Sequence, residues 1–109
     1  MMMYAYVGCY TTPDRDGRGR GIQVYRMDQA SGEWTHVQLL EDVPNPSFLA
    51  LGPDRSHLYC VHGGDTYSQV SAFAIDRATG RLTFVNSQPS GGHNPVGLSV
   101  SSVAPFLVV

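Results

Sequence analysis

His62 and His93 stand in Tyr59-Cys60-Val61-His62-Gly63-Gly64-Asp65 and Ser90-Gly91-Gly92-His93-Asn94-Pro95, where glycines place each imidazole in or beside a loop. An imidazole titrates near neutrality and serves as a general base for water. Tyr10, Asn45 and Asn94 offer hydroxyl and amide groups that could meet a ligand on the same loop face, where functional groups usually gather. Each also has a plainer reading: a loop histidine is commonly just a surface residue, and Asn45 and Asn94 both precede proline, where they shape a turn. His36 and His57 fall at strand positions and read as structural. The sequence holds no metal-ligand spacing, phosphate-binding loop, nucleophile elbow or Ser/His/Asp set, so no metal site is expected from the residues themselves.

Composition narrows the class. Of 109 residues 42% are hydrophobic and 15% charged, which excludes a disordered chain. The formal charge is −2 and all seven basic residues are arginine. Arg15, Arg18 and Arg20 cluster, but Asp14 and Asp16 interrupt them, which reads as a solvated loop rather than a basic stripe; no nucleic-acid partner is expected. Cys9 and Cys60 lie in apolar runs and are expected to be free, buried thiols. No leader-like start and no apolar run of membrane-spanning length occurs, which makes a cytoplasmic protein with no membrane partner the expectation.

The elements that must position these residues come from a repeat. Val24 to Val37 (VYRMDQASGEWTHV) matches Ala72 to Val85 (AFAIDRATGRLTFV) at a spacing of 48 residues, aligning Asp28 with Asp76 and Gly32 with Gly80. Asn45 to Leu51 (NPSFLAL) matches Asn94 to Val100 (NPVGLSV) at a spacing of 49, and His57 to Cys60 matches Phe106 to Val109. Such a period fits paired-helix repeats or propeller blades. The apolar runs are short, rich in Val, Tyr, Phe and Ile, and bounded by Gly, Pro, Asn and Asp, which selects strands. The complete unit reads as Phe48 to Leu51, His57 to His62, Val70 to Asp76 and Leu82 to Gln88. The fold class is therefore all-β, with four-stranded antiparallel blades: a partial first blade over 4–40, a second over 45–88 and the start of a third over 94–109. Tyr4 to Tyr10, Gly21 to Asp28 and Trp34 to Leu40 supply the first blade, which lacks its innermost strand. Tyr6, Tyr25, Trp34 and Phe73 are expected in the core. Tyr10, Thr11, Asn45, His62, Asp65, His93 and Asn94 are expected on one loop face.

About two blades are fewer than a stable array needs, and the last strand is an apolar edge. The expectation is an inactive piece of a larger propeller, with self-association of two-blade units through exposed strand edges as the alternative.

Tyr6-Val7-Gly8-Cys9-Tyr10-Thr11, Gly21 to Asp28, Asn45 to Leu51 with Pro53-Asp54 and Leu58-Tyr59, Val70 to Phe73, Gly80 to Thr83 and Gln88 to Gly92 together resemble the lactonase-type seven-bladed propellers, the 6-phosphogluconolactonase-like and carboxymuconate-cyclase-like proteins. The resemblance implies hydrolysis of 6-phosphogluconolactone or a similar lactone, or interconversion of a muconate and its lactone, on a small lactone or sugar-phosphate ligand without a cofactor. It also implies a histidine at an active-site position where this chain has Gly97, and places the family's other acid/base and arginine positions beyond Val109. Loss of that histidine favours a binding platform without chemistry as the competing reading.

Overall fold

The computed structural model describes residues 2–109. Strands β1 (Met2–Gly8), β2 (Ile22–Asp28) and β3 (Trp34–Leu40) form one antiparallel sheet in that order, and β4 (Phe48–Leu51), β5 (His57–Gly63), β6 (Ser68–Ile75) and β7 (Leu82–Pro89) form a second. The short strands β8 (Ser99–Val100) and β9 (Leu107–Val108) pair on their own. The all-β, antiparallel reading of the sequence holds, and β3 and β4 occupy the ranges the pattern predicts. Among the described residues no helix is long and apolar enough to cross a membrane.

The repeat extends to backbone detail. Asp28 Oδ1 accepts from Ala30 N at 2.8 Å, and Asp76 Oδ1 from Ala78 N at 2.9 Å. Gly32 and Gly80 close the two hairpins at φ +74° and +77°, a left-handed conformation that glycine enters without a Cβ penalty. Each sheet also carries a bulge at the same place. Val24 pairs with Gln38 while Tyr25 pairs with His36, leaving Val37 extra; Ala72 pairs with Asn86 while Phe73 pairs with Phe84, leaving Val85 extra.

The core lies between the sheets. Ile22 and Val24 of the first sheet and Leu58, Cys60, Phe73 and Leu82 of the second are buried together, with Val43 from the connection. Side chains also bridge the two sheets. Tyr4 and Tyr6 hydroxyls donate to the carbonyls of Ala78 and Gly80, each at 2.8 Å. The Gln38 amide stands in for a missing strand: its Oε1 accepts from Leu82 N at 2.7 Å and its Nε2 donates to Leu82 O at 3.0 Å.

Trp34 departs from expectation. It is 50% exposed rather than in the core, stacked at a tilt 5.4 Å from Tyr25. Its repeat counterpart is Leu82, which is buried because that face of the second sheet packs on the first. The same face of the first sheet has no described sheet against it, so the equivalent side chain meets solvent. Tyr6 and Tyr25 are half-buried and Phe73 is buried. Cys60 is buried and Cys9 half-buried, and both are free.

Candidate functional site

A concavity of about 110 Å³ opens at the end of the molecule where the β1–β2 connection, the β3–β4 connection, the end of β5 and the β7–β8 connection meet. Tyr10, Arg15, Asn45, Ser47, His62, Gly63, Asn94, Pro95 and Val96 line it.

Asn45 builds the floor. It is 4% exposed at φ +50°, one of the few conformations in which an asparagine replaces glycine readily. Its Oδ1 accepts from the backbone N–H groups of Thr11 and Thr12 at 2.9 and 3.1 Å, while Nδ2 donates to Gly63 O at 2.9 Å and Thr12 Oγ1 at 2.8 Å. One side chain thus fastens the β1–β2 loop to the end of β5. Asn94, its repeat counterpart, sits at φ +49° and turns outward: its Nδ2 donates to Asp65 Oδ1 at 2.8 Å, and its Oδ1 accepts from Arg15 Nη2.

Arg15 ends a single 3-10 turn, Pro13–Arg15. Its Nη2 also lies 3.0 Å from Asp65 Oδ1, and its guanidinium carbon is 5.8 Å from the centre of the Tyr10 ring, within cation–π range. Hydrogen bonding from Asn94 chiefly, with Arg15 beside it, holds the Asp65 carboxyl below its usual range. Asp65 and Asn94 therefore act as an outer brace that holds the guanidinium at the mouth of the concavity.

His62 forms the inner wall. It is 6% exposed, and its Nε2 lies 2.6 Å from Ser71 Oγ on the neighbouring strand β6. Nδ1 has no partner although it is buried. Burial lowers the imidazole pKa, so the ring is neutral near pH 7. The concavity thus combines a cation at its rim, amide and hydroxyl groups on its floor and a neutral imidazole on its wall.

Of the residues singled out in the sequence, Tyr10, Asn45, His62 and Asn94 line this one concavity. His93 does not; it faces a separate shallow groove with Thr66, Tyr67, Gln69 and Gly92. His62 lies at the end of β5, where the strand reading His57 to His62 puts it, but it is buried rather than a surface residue. Thr11 and Asp65 are present as supports rather than as lining. Arg15, read as part of a solvated loop, is the site's cation, and Ser47 was not singled out at all. Gly97 lies outside the lining, and a Cβ built there would have Phe48 Cε2 as its nearest neighbour, 4.0 Å away, so the position has room for a side chain. Among the described residues no cluster of three or more His, Cys, Asp or Glu is gathered as for a metal ion.

Comparison with known proteins agrees with this architecture. A 6-phosphogluconolactonase of Formosa agariphila is 33% identical over 106 residues, covering 95% of this chain and 29% of the relative. The 6-phosphogluconolactonase of Bacillus subtilis is 30% identical over 103 residues, covering 94% and 28%. The chain therefore spans less than a third of the length of these curated relatives. The solved structure of the Pseudomonas aeruginosa periplasmic gluconolactonase superposes with a TM-score of 0.82 at 29% identity, over 98% of this chain and 30% of that one. The family model for the lactonase seven-bladed β-propeller matches residues 4–109, so this chain, with its paired antiparallel sheets and their 48-residue repeat, belongs to that family.

Proposed function

We propose that this chain forms part of the ligand-binding face of a lactone hydrolase of the 6-phosphogluconolactonase kind, and that the activity belongs to a longer parent, the two-sheet unit alone being inactive. The observation that carries the reading is the braced guanidinium of Arg15 at the rim of a concavity whose wall is the neutral imidazole of His62. A guanidinium recognises the phosphate of a phosphorylated sugar lactone, and the amide and hydroxyl groups around it suit a polyol. In hydrolysis, water adds to the lactone carbonyl, the ring C–O bond breaks, and the ring oxygen leaves as a hydroxyl that keeps one of the water protons; the acid product releases the other. The names of the relatives and the short span of this chain along them support both halves of the proposal. A carboxylate-bearing lactone would engage the same cation and is the alternative substrate.

The test is hydrolysis of 6-phosphogluconolactone followed as acid release, on this chain and on its longer parent. Activity is expected from the parent alone, with KM raised at least tenfold by Arg15→Met. A parent with no rate above spontaneous opening overturns the reading.

A second reading, a binding platform without turnover, is favoured by Gly97, which supplies no side chain where the family resemblance calls for histidine. Retained 6-phosphogluconate binding without hydrolysis would select it.

A further inference from the structure

Four side chains on one face of the second sheet form a directed chain of hydrogen bonds. Gln69 Oε1 is a carbonyl oxygen and can only accept, so the Ser87 hydroxyl donates to it, at 2.8 Å. With its single proton committed, Ser87 Oγ accepts from Ser71 Oγ at 3.1 Å. Ser71 has then spent its own proton, so across the 2.6 Å contact to His62 it accepts. The donor in that contact is His62 Nε2–H. A neutral imidazole carries one ring proton, and Nδ1 is left as a bare lone pair.

The register explains why these residues meet. Ser71 pairs with Cys60 and with Ser87, and Gln69 pairs with His62 and with Pro89, which sets all four side chains on the same face of β5, β6 and β7. The face is the one whose lower half, Leu58, Phe73 and Leu82, makes the core. Its upper end is polar, and His62 is where it reaches the concavity.

From this we infer that His62 is held in the Nε2–H tautomer by the Ser71–Ser87–Gln69 relay, and that its Nδ1 is the acceptor for an O–H group of the ligand bound in the concavity, a sugar hydroxyl or an attacking water. An unpartnered acceptor on a residue more than nine-tenths buried costs free energy that no neighbour in the chain offsets, and a ligand hydroxyl supplies the missing partner. A structural histidine would have both nitrogens satisfied. The relay makes His62 a positioning partner whose accepting atom cannot be exchanged for a donor without rearranging three other side chains. The ligand half of this inference rests on the functional reading above; the tautomer half does not.

The test is the long-range proton–nitrogen correlation spectrum of the imidazoles in the full 109-residue chain, uniformly labelled with nitrogen-15. The expected result is a protonated Nε2 and an unprotonated Nδ1 at His62. Ser87→Ala leaves the imidazole and its immediate partner in place but frees the Ser71 hydroxyl to donate to Nε2, so a shift towards the Nδ1–H tautomer is expected there; Gln69→Leu should act in the same direction if the alanine variant does not fold. An Nδ1-protonated wild-type ring, or a tautomer unmoved by either variant, overturns the relay. 6-Phosphogluconate, a stable acid product, is then the probe, added to the longer parent in which the ligand-binding face is complete. Movement of the Nδ1 resonance together with the Arg15 and Asn94 side-chain resonances supports the assignment. Movement of Arg15 and Asn94 without Nδ1 overturns the ligand half and leaves the functional reading standing. No movement anywhere removes the functional reading and the ligand half together, while the tautomer result stands separately.

Discussion

Gly80 and Gly32 close equivalent hairpins at nearly equal φ, +77° and +74°, yet a Cβ on Gly80 would lie 2.2 Å from Cδ1 of Tyr4 whereas one on Gly32 would meet nothing within 4 Å. The pair separates the cost of backbone strain from the cost of packing between the sheets. Gly32→Ala is expected to lose about 1 kcal/mol from the left-handed conformation alone. Gly80→Ala carries the same strain plus the displacement of an aromatic ring, about 1–3 kcal/mol more. Urea midpoints of the two variants measure the difference; equal midpoints would mean that Tyr4 moves aside freely.

Asn45 ties two loops with one side chain, so its loss orphans several groups at once. Asn45→Ala strips acceptors from Thr11 N and Thr12 N and a donor from Gly63 O, for an expected loss of about 3 kcal/mol. Asn45→Gly removes the same bonds but relieves the φ of +50°, and should recover about 1 kcal/mol of that loss. Thermal melts of the two variants test the order, alanine below glycine below wild type.

His62 makes stability depend on pH in a defined direction. Burial depresses its pKa in the folded chain below the ordinary histidine value of 6.5. As pH falls through 6.5 the unfolded chain takes up a proton that the folded chain refuses, so stability declines and then levels off below the folded pKa. Denaturant midpoints between about pH 7.5 and 5 should show that decline in the wild type and a flatter profile in His62→Gln. A midpoint that rises on acidification would contradict the burial argument.

Cys60 should be chemically silent. Burial pushes its thiol up to about 12, and the residue is fully enclosed. Because the thiolate is the reactive species, a maleimide should label Cys9 in the native chain and reach Cys60 only after denaturant is added. Mass spectrometry of the labelled chain counts one adduct under native conditions and two when unfolded.

The fold was legible because its signals are local. The Asp and Gly of each hairpin turn, four positions apart, report on the four or five residues around them, and the β3 and β4 boundaries follow from adjacent apolar runs. The site was legible only in part. Arg15 is flanked by Asp14 and Asp16, which suggests a neutralised surface loop, but the partners that hold it, Asp65 and Asn94, lie 50 and 79 residues away. Trp34 misled for a related reason: alternation gives a side chain's face but not whether a second sheet covers that face. The bulge that leaves Val37 extra compounds this by reversing the alternation within β3. His62 was singled out for its chemistry, but the relay that orients it joins residues of three strands and has no trace in any one of them.

The strand that carries His62 is paired on both sides, with β4 and β6, and is buried along most of its length. Its amide hydrogens should be among the last in the chain to exchange with solvent, whereas Arg15 hangs from the β1–β2 loop on side-chain tethers. A molecule entering the concavity therefore meets walls that move on different clocks, an imidazole fixed for as long as the sheet stays closed and a guanidinium that reorients within nanoseconds once its brace lets go. On the proposed reading, capture and release are set at the rim, and the angle of approach is set at the wall.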